Sequence, residues 1–239
     1  MRKIIFLLMC VVCAVMSGCN SIGDGVPEHF KTAFESPECV DIEGDWRIEM
    51  SFGSENSCEI VLDKNLYSRL SVRKGKKLGI YLADGIQPMV APVLRIKFAK
   101  PFKELMLDGN LSCNINGGKF VTPLEIEICG RAVCFFEQST AEKVAAEITD
   151  RGKLSFKGNI KELYAELDKR AVLEADEVGT FYLEGADNSI CRIKSCEKAE
   201  VELEDDAFAD FKKVKEINHS LEDNADVKYP VVIPASLKK

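Results

Sequence analysis

The sequence predicts an all-β fold: a right-handed parallel β-helix, or solenoid, of coils about 20 residues long, with an antiparallel hairpin region ahead of it. Three observations carry this expectation. First, one short phrase keeps restarting: Leu107-Asp108-Gly109-Asn110, Ile128-Cys129-Gly130-Arg131, Ile148-Thr149-Asp150-Arg151, Leu167-Asp168-Lys169-Arg170, Leu183-Glu184-Gly185-Ala186, Leu203-Glu204-Asp205-Asp206 and Leu221-Glu222-Asp223-Asn224. Its steps are 21, 20, 19, 16, 20 and 18 residues. Second, the segments between restarts alternate apolar and polar residues, as in Leu124-Glu125-Ile126-Glu127-Ile128 and Ala199-Glu200-Val201-Glu202-Leu203; period two is the mark of a half-buried strand. Third, Gly, Asn or Asp follows each aliphatic anchor, which suits corners that need left-handed backbone. Strands this short bury a face only by stacking coil on coil.

The elements follow in order. Residues 1–18 read as a lipoprotein signal: a basic start at Arg2 and Lys3, an apolar run from Ile4 to Met16, then Ser17-Gly18 before Cys19. That run is too short to span a bilayer. Cutting before Cys19 frees its thiol to take a lipid, which holds a protein on a membrane without crossing it. Residues 19–37 carry Gly, Pro and Ser without a period and read as a tether. Residues 38–239 form the solenoid domain with its C-terminal cap. Within it, Asp41 to Met50, Ser57 to Asp63 and Leu78 to Leu82 read as strands. Arg69, Arg73, Lys74, Lys76 and Lys77 surround Gly75 and predict a basic hairpin turn. After a proline-bearing loop from Gln87 to Pro92 the ladder begins near Val93. Glu137 to Ala146 reads as a turn or two of helix, a loop excursion between coils. The proline-bearing tail Tyr229 to Pro234 is expected to cap the last coil, since proline does not join a sheet interior.

Two openings, Val40-Asp41-Ile42-Glu43-Gly44 and Lys77-Leu78-Gly79-Ile80-Tyr81-Leu82, together with the repeated phrase, make residues 39–230 resemble the head GIN domain of the autotransporter-adhesin type. Leu183-Glu184-Gly185-Ala186 is the closest copy of that family's Leu-Ser-Gly-Ala-Ser phrase; elsewhere Asp, Arg, Lys and Cys replace Ser and Ala. The resemblance implies a parallel β-helix, a lipoprotein of the cell envelope, and adhesion. It brings no catalytic residues.

Ten cysteines become seven once Cys10 and Cys13 leave with the signal and Cys19 is set aside. Export permits disulfides, and an odd count leaves at least one thiol unpaired or bridging chains. Cys113 and Cys134 each lie six residues past their anchors and are expected on neighbouring coils. Cys191 with Cys196 could close a local turn, and Cys39 with Cys58 could clamp the first hairpin. The alternative is that all are buried thiols acting as small apolar residues. His29 and His219 are far apart and no Cys-x-x-Cys is present, so neither a metal nor another cofactor is expected.

Loss of Arg2 and Lys3 with the signal leaves 30 basic against 39 acidic residues, with the acids concentrated from Glu197 to Asp226. This balance speaks against a nucleic-acid partner. Stacking would set Glu125, Glu127, Asp168, Glu184 and Glu202 on outward positions. Paired carboxylates suit sugar hydrolysis, but any solvated strand face shows outward acids, and no Ser/His/Asp set or phosphate loop is present. The expectation is therefore an envelope-located, lipid-anchored, non-enzymatic binding module, held most simply at the outer membrane. Its ligand would be a glycan or an envelope protein, and the 69–77 turn is a candidate anion-binding element. The competing readings are a carbohydrate-active enzyme and a purely structural envelope component.

Overall fold

The computed structural model describes residues 21–230, in which nearly every segment is extended. In order, the strands are β1 (Ser21–Ile22), β2 (Pro27–Ala33), β3 (Cys39–Glu43), β4 (Arg47–Phe52), β5 (Ser57–Asp63), β6 (Leu70–Arg73) and β7 (Lys77–Leu82). There follow β8 (Ile86–Gln87), β9 (Val93–Phe98), β10 (Glu104–Asp108), β11 (Ser112–Asn116), β12 (Lys119–Phe120) and β13 (Leu124–Ile128). The long strands are β14 (Val133–Ile148), β15 (Lys153–Leu167), β16 (Val172–Gly185) and β17 (Ile190–Leu203), ahead of β18 (Phe208–Phe211), β19 (Val214–Leu221) and β20 (Asp226–Lys228). They make a β-solenoid of about seven turns. Each coil runs along three faces, and each face is a ladder of parallel strands. The first runs β9–β4–β11, then through the starts of β14 to β17, to β18 and β20. The second is a narrow band holding β12 and the middles of the long strands. The third runs β7–β3–β10–β13, then the ends of β14 to β17, and β19.

The corner between the third and first faces explains the repeated phrase. Gly44, Gly109, Gly130, Asp150, Lys169, Asp187, Asp205 and Asp223 all have positive φ there. From Arg131 onward, the amide after each corner donates to the corner carbonyl one coil back, as in Arg131 to Gly109 at 2.8 Å and Asn188 to Lys169 at 2.8 Å. Early in the stack only glycine fits: a Cβ on Gly109 would sit 2.6 Å from the carbonyl oxygen of Gly44. Later corners open enough for Asp, which tolerates left-handed backbone better than most residues.

Register corrects the phase of the repeat. Ile128 pairs in succession with Ile148, Leu167, Gly185, Leu203 and Leu221. The fifth anchor is thus Gly185, and Leu183 aligns with Ala165 and Val201 instead. The Leu183-Glu184-Gly185-Ala186 copy of the phrase is therefore out of step by two residues. Correctly phased, the last steps are all 18 residues. Longer coils spend their extra residues at the corner between the first two faces. Gln138 bulges there with φ of 53°, Gly158 takes its place one coil later, and the next coil has neither.

Three expectations fail. Glu137 to Ala146 is the bent middle of β14, not a helical excursion. Its buried residues, Ser139, Ala141, Val144 and Ala146, keep the every-second-residue spacing of a strand on either side of one bend between Ala141 and Val144. The parallel ladder begins at β3 rather than near Val93. The expected tether is docked from Ser21 onward: β1 pairs with β8, and β2 lies antiparallel to β5. The antiparallel start of the chain and the basic hairpin do follow the sequence, since β6 and β7 pair antiparallel across residues 74–76. The signal 1–18 and Cys19 lie outside the described residues, as does the proposed cap beyond Pro230.

Side chains pointing inward fill the axis. Phe98, Phe102, Phe120, Phe136 and Phe156 are all buried and form a continuous stack, with successive ring centroids 5.2, 5.6, 5.9 and 4.9 Å apart. Trp46 is buried at the first corner and its Nε1 donates to the carbonyl of Glu43 at 3.1 Å.

Candidate functional site

The third face carries a file of unneutralised charge, and its geometry follows from strand pairing. Alternate residues point outward, and because neighbouring coils pair in register, outward residues align in columns about 4.8 Å apart. One column runs Met106, Glu127, Glu147, Glu166, Glu184, Glu202 and Ser220. Five glutamates are thus stacked without a break, and among the described residues none of them makes an ion pair, although acids elsewhere on the surface do. Directly opposed like charges destabilise a sheet. The column is a cost that stacking alone does not require.

Beside it stands a second outward column: Glu104, Glu125, Ala145, Tyr164, Tyr182, Glu200 and Asn218. Tyr164 and Tyr182 stack face to face at 4.6 Å, with the Lys143 ammonium 4.3 Å above the Tyr164 ring. Two open grooves follow the columns. One of about 400 Å³ is lined by Glu147, Glu166, Glu184 and Glu202 together with Thr149 and Ser220. The other, of about 290 Å³, lies between Glu125, Glu127, Glu147 and Tyr164. A carboxylate file beside aromatic edges accepts hydrogen bonds from hydroxyls and ion pairs from amines along an extended ligand.

Of the acids singled out from sequence, Glu127, Glu184 and Glu202 fall in one column, Glu125 in the neighbouring one and Asp168 at the corner. Glu147 and Glu166 were missed. Their signal was present: a glutamate directly precedes each aligned anchor from Ile128 to Leu203. Placing the fifth anchor at Leu183, which Tyr182 precedes, breaks that pattern. At the corner, the Asp168 carboxyl and burial push Asp187 above the usual carboxylate range, with Asp205 adding repulsion.

The cysteines of the described residues are seven free thiols. Cys113 and Cys134 are direct partners on neighbouring strands and both fully buried, as their spacing implied. Cys39 lies between Lys77 and Glu104 on the third face, whereas Cys58 opposes Thr32 and Ile96 on the first. β5 pairs with β2 and β9, not β4, so the expected clamp has no hairpin to close. Cys191 and Cys196 both lie within β17, with no turn between them. Burial raises the thiols of Cys39 and Cys58 to about 12 and Cys196 to about 11. These are poor nucleophiles, since the thiolate is the reactive form.

The basic residues surround one tip. Arg69, Arg73, Lys74, Lys76 and Lys77 are exposed on or beside the β6–β7 hairpin. Lys77 pairs with Asp41 at 2.8 Å, Arg73 lies over the Tyr81 ring at 5.4 Å, and Lys74 donates to the Thr32 hydroxyl of β2. Among the described residues no group of three or more His, Cys, Asp or Glu is arranged to hold a metal ion.

Residues 36–222 match the family described as "Putative auto-transporter adhesin, head GIN domain". The chain belongs to this family. Solved structures share the GIN-domain architecture at low identity. One is titled as a "putative adhesin" from Bacteroides fragilis NCTC 9343, with a TM-score of 0.75 at 13% identity, covering 87% of this chain and 98% of that one. Another, titled "Putative lipid binding protein", is from Parabacteroides distasonis ATCC 8503, with a TM-score of 0.62 at 16% identity, covering 88% and 99%. A third, a "putative adhesin" from Parabacteroides merdae ATCC 43184, has a TM-score of 0.58 at 13% identity, covering 87% and 98%. No curated protein sequence matches. At these identities the solved structures support the GIN fold, and the glutamate file is a property of this chain's own residues.

Proposed function

We propose that this GIN domain is an envelope-held binding module, exported through residues 1–18 and joined to lipid at Cys19. It presents the glutamate file of its third face to an extended ligand bearing hydroxyls or amines, a glycan or a segment of an envelope protein. The observation that carries this reading is the unbroken, unpaired column Glu127–Glu147–Glu166–Glu184–Glu202 lying along a groove. Relatives described as adhesins, not enzymes, support binding over turnover. The acidic balance of the chain speaks for a ligand other than nucleic acid. We read Cys113 and Cys134 as the pair that bridges in the exported protein, a reading supported by their direct pairing on neighbouring strands.

The test is a glycan-array screen of residues 20–239 beside a pull-down from envelope extracts, each repeated with Glu166→Gln/Glu184→Gln. Capture by the native protein that falls at least about tenfold in the variant supports the assignment. Capture that is unchanged by the variant, or turnover of a captured glycan, would overthrow it. Metabolic lipid labelling of the full chain, abolished by Cys19→Ala, tests the anchor.

A further inference from the structure

The N-terminal end of the solenoid differs in chemistry from every other surface. Ser21 begins β1 only two residues after Cys19, a reach of about 7 Å for extended chain. From there the chain is fastened down. The buried Asp63 carboxyl accepts the amide of Gly25 at 2.7 Å, and those of Met89 and Val90 at 2.9 and 3.0 Å. Asn65 holds the Ile22 carbonyl at 2.8 Å. Any group carried by Cys19 is therefore held close to this end.

Two features converge there. Seven large apolar side chains are exposed among the described residues, and four of them belong to this end: Ile22, Val26, Phe30 and Met89, between 44% and 69% exposed. Met89 reaches within contact of the Gly25 position, and the Val26 carbonyl takes the Lys64 amide at 2.9 Å. The second feature is charge. Residues 64–77 hold six cations and no acid, and Lys74 touches Thr32 on the same strand as Phe30. Lys64, Arg69, Lys74 and Lys76 are exposed and make no ion pair with described residues. The acids of residues 21–33 and 63–90 are four, Asp24, Glu28, Asp63 and Asp84, against seven cations. Exposed apolar side chains beside unpaired cations suit the boundary of a bilayer with anionic headgroups. The acidic remainder of the chain would be repelled by such a surface.

We propose that this end is a membrane-docking face. Ile22, Val26, Phe30 and Met89 enter the headgroup layer, and Lys64, Arg69, Lys74 and Lys76 meet anionic headgroups. A lipid on Cys19 and this face then act as two contacts for one attachment, the lipid holding the domain at the bilayer and the face fixing how it sits there. The fixed contact stands the solenoid off the bilayer and displays the glutamate file. The proposal takes its setting from the membrane-held reading above, but the surface is testable without the lipid.

The experiment is co-sedimentation of unlipidated residues 20–239, which contain every described residue, with phosphatidylcholine vesicles with and without phosphatidylglycerol. Binding to the anionic vesicles that weakens with salt is expected. Lys64→Glu/Lys74→Glu/Lys76→Glu should lower it at least about tenfold. Val26→Ser/Met89→Ser should lower it severalfold, and Glu166→Gln/Glu184→Gln should leave it unchanged. Circular dichroism and the thermal midpoint establish that each variant is folded. Absence of binding to both vesicle types, or binding indifferent to the lysine and apolar variants, overturns the docking face. Absence of lipid labelling of the full chain, or labelling that survives Cys19→Ala, overturns the anchor and leaves the vesicle result standing.

Discussion

The two ends of this solenoid solve different problems. From β16 onward, coils settle to 18 residues, with one corner conformation and one register. Before β13, coils are interrupted by antiparallel strands, a 3-10 turn at Lys64–Arg69 and a docked N-terminal segment. The charges are opposed as well: residues 64–77 carry six cations and no acid, whereas residues 197–226 carry eleven acids against four cations. Repetition builds a core because each coil needs only its neighbours. It cannot finish an end, where an open strand edge invites association. The irregular sequence is spent at the N-terminal end, on edge strands β2 and β6 and on the Asp63 node.

That contrast can be broken from the N-terminal side first. Asp63→Ala leaves three part-buried amides without their shared acceptor and should cost about 3–5 kcal/mol in urea denaturation. Hydrogen exchange should speed up at Gly25, Met89 and Val90 while the amides of β16 and β17 stay protected. Equal loss of protection at both ends would show that they fold as one unit.

Phe136→Ala cuts the aromatic stack where irregular coils meet regular ones, with a cost of about 3–5 kcal/mol. It should split a single melting transition into two. A single, merely lowered transition would show that the two halves are more tightly coupled than the contrast implies.

Gly158→Ala tests the corner that disappears as coils shorten. Gly158 has φ of 153°, and a Cβ there collides with the Ser139 carbonyl. The expected loss is about 2–4 kcal/mol by the same denaturation.

Acid should act on the two ends in opposite directions. Glu59 is held down to about 2 by hydrogen bonds from His29 and Arg95, at 3.2 and 3.0 Å across β2, β5 and β9. Its folded value lies below the ordinary 4.5, so its stabilisation is present above that value and is lost as pH falls toward about 2. Asp187 is raised, so its crowding with Asp168 weighs on the fold at neutral pH and is relieved on protonation. Exchange followed from neutral to acid pH should show the N-terminal sheet loosening before the C-terminal corners. Glu59→Gln should flatten that difference; persistence of the full difference in this variant would reject the assignment to Glu59.

The smallest effect concerns Ser189, whose buried hydroxyl has no partner among the described residues. It occupies the corner position filled by Ala171 and Ala207 in adjacent coils. Ser189→Ala should be neutral or stabilising by about 1 kcal/mol in the same melt. A clear loss would point to a partner for that hydroxyl.

Much was legible in the residues alone: the alternation of strands, the coil length near 20, the Gly and Asp corners, the β6–β7 turn and the facing positions of Cys113 and Cys134. These are local properties, since each follows from a side chain's fit to one backbone conformation or from counting along one coil. Phase was not local. Leu183 and Gly185 both follow alternating runs, and only hydrogen bonding between coils makes Gly185 the partner of Leu167 and Leu203. The same pairing, by fixing which residues point outward together, assembled five separate glutamates into one file. The docking of residues 21–33 was hidden for a related reason. Its Gly, Pro and Ser content describes a loop, and the strand at Pro27–Ala33 exists because β5 offers an unpaired edge and Asp63 an acceptor for Gly25. A sequence states what each coil prefers; the backbone bonds between coils decide which residues meet.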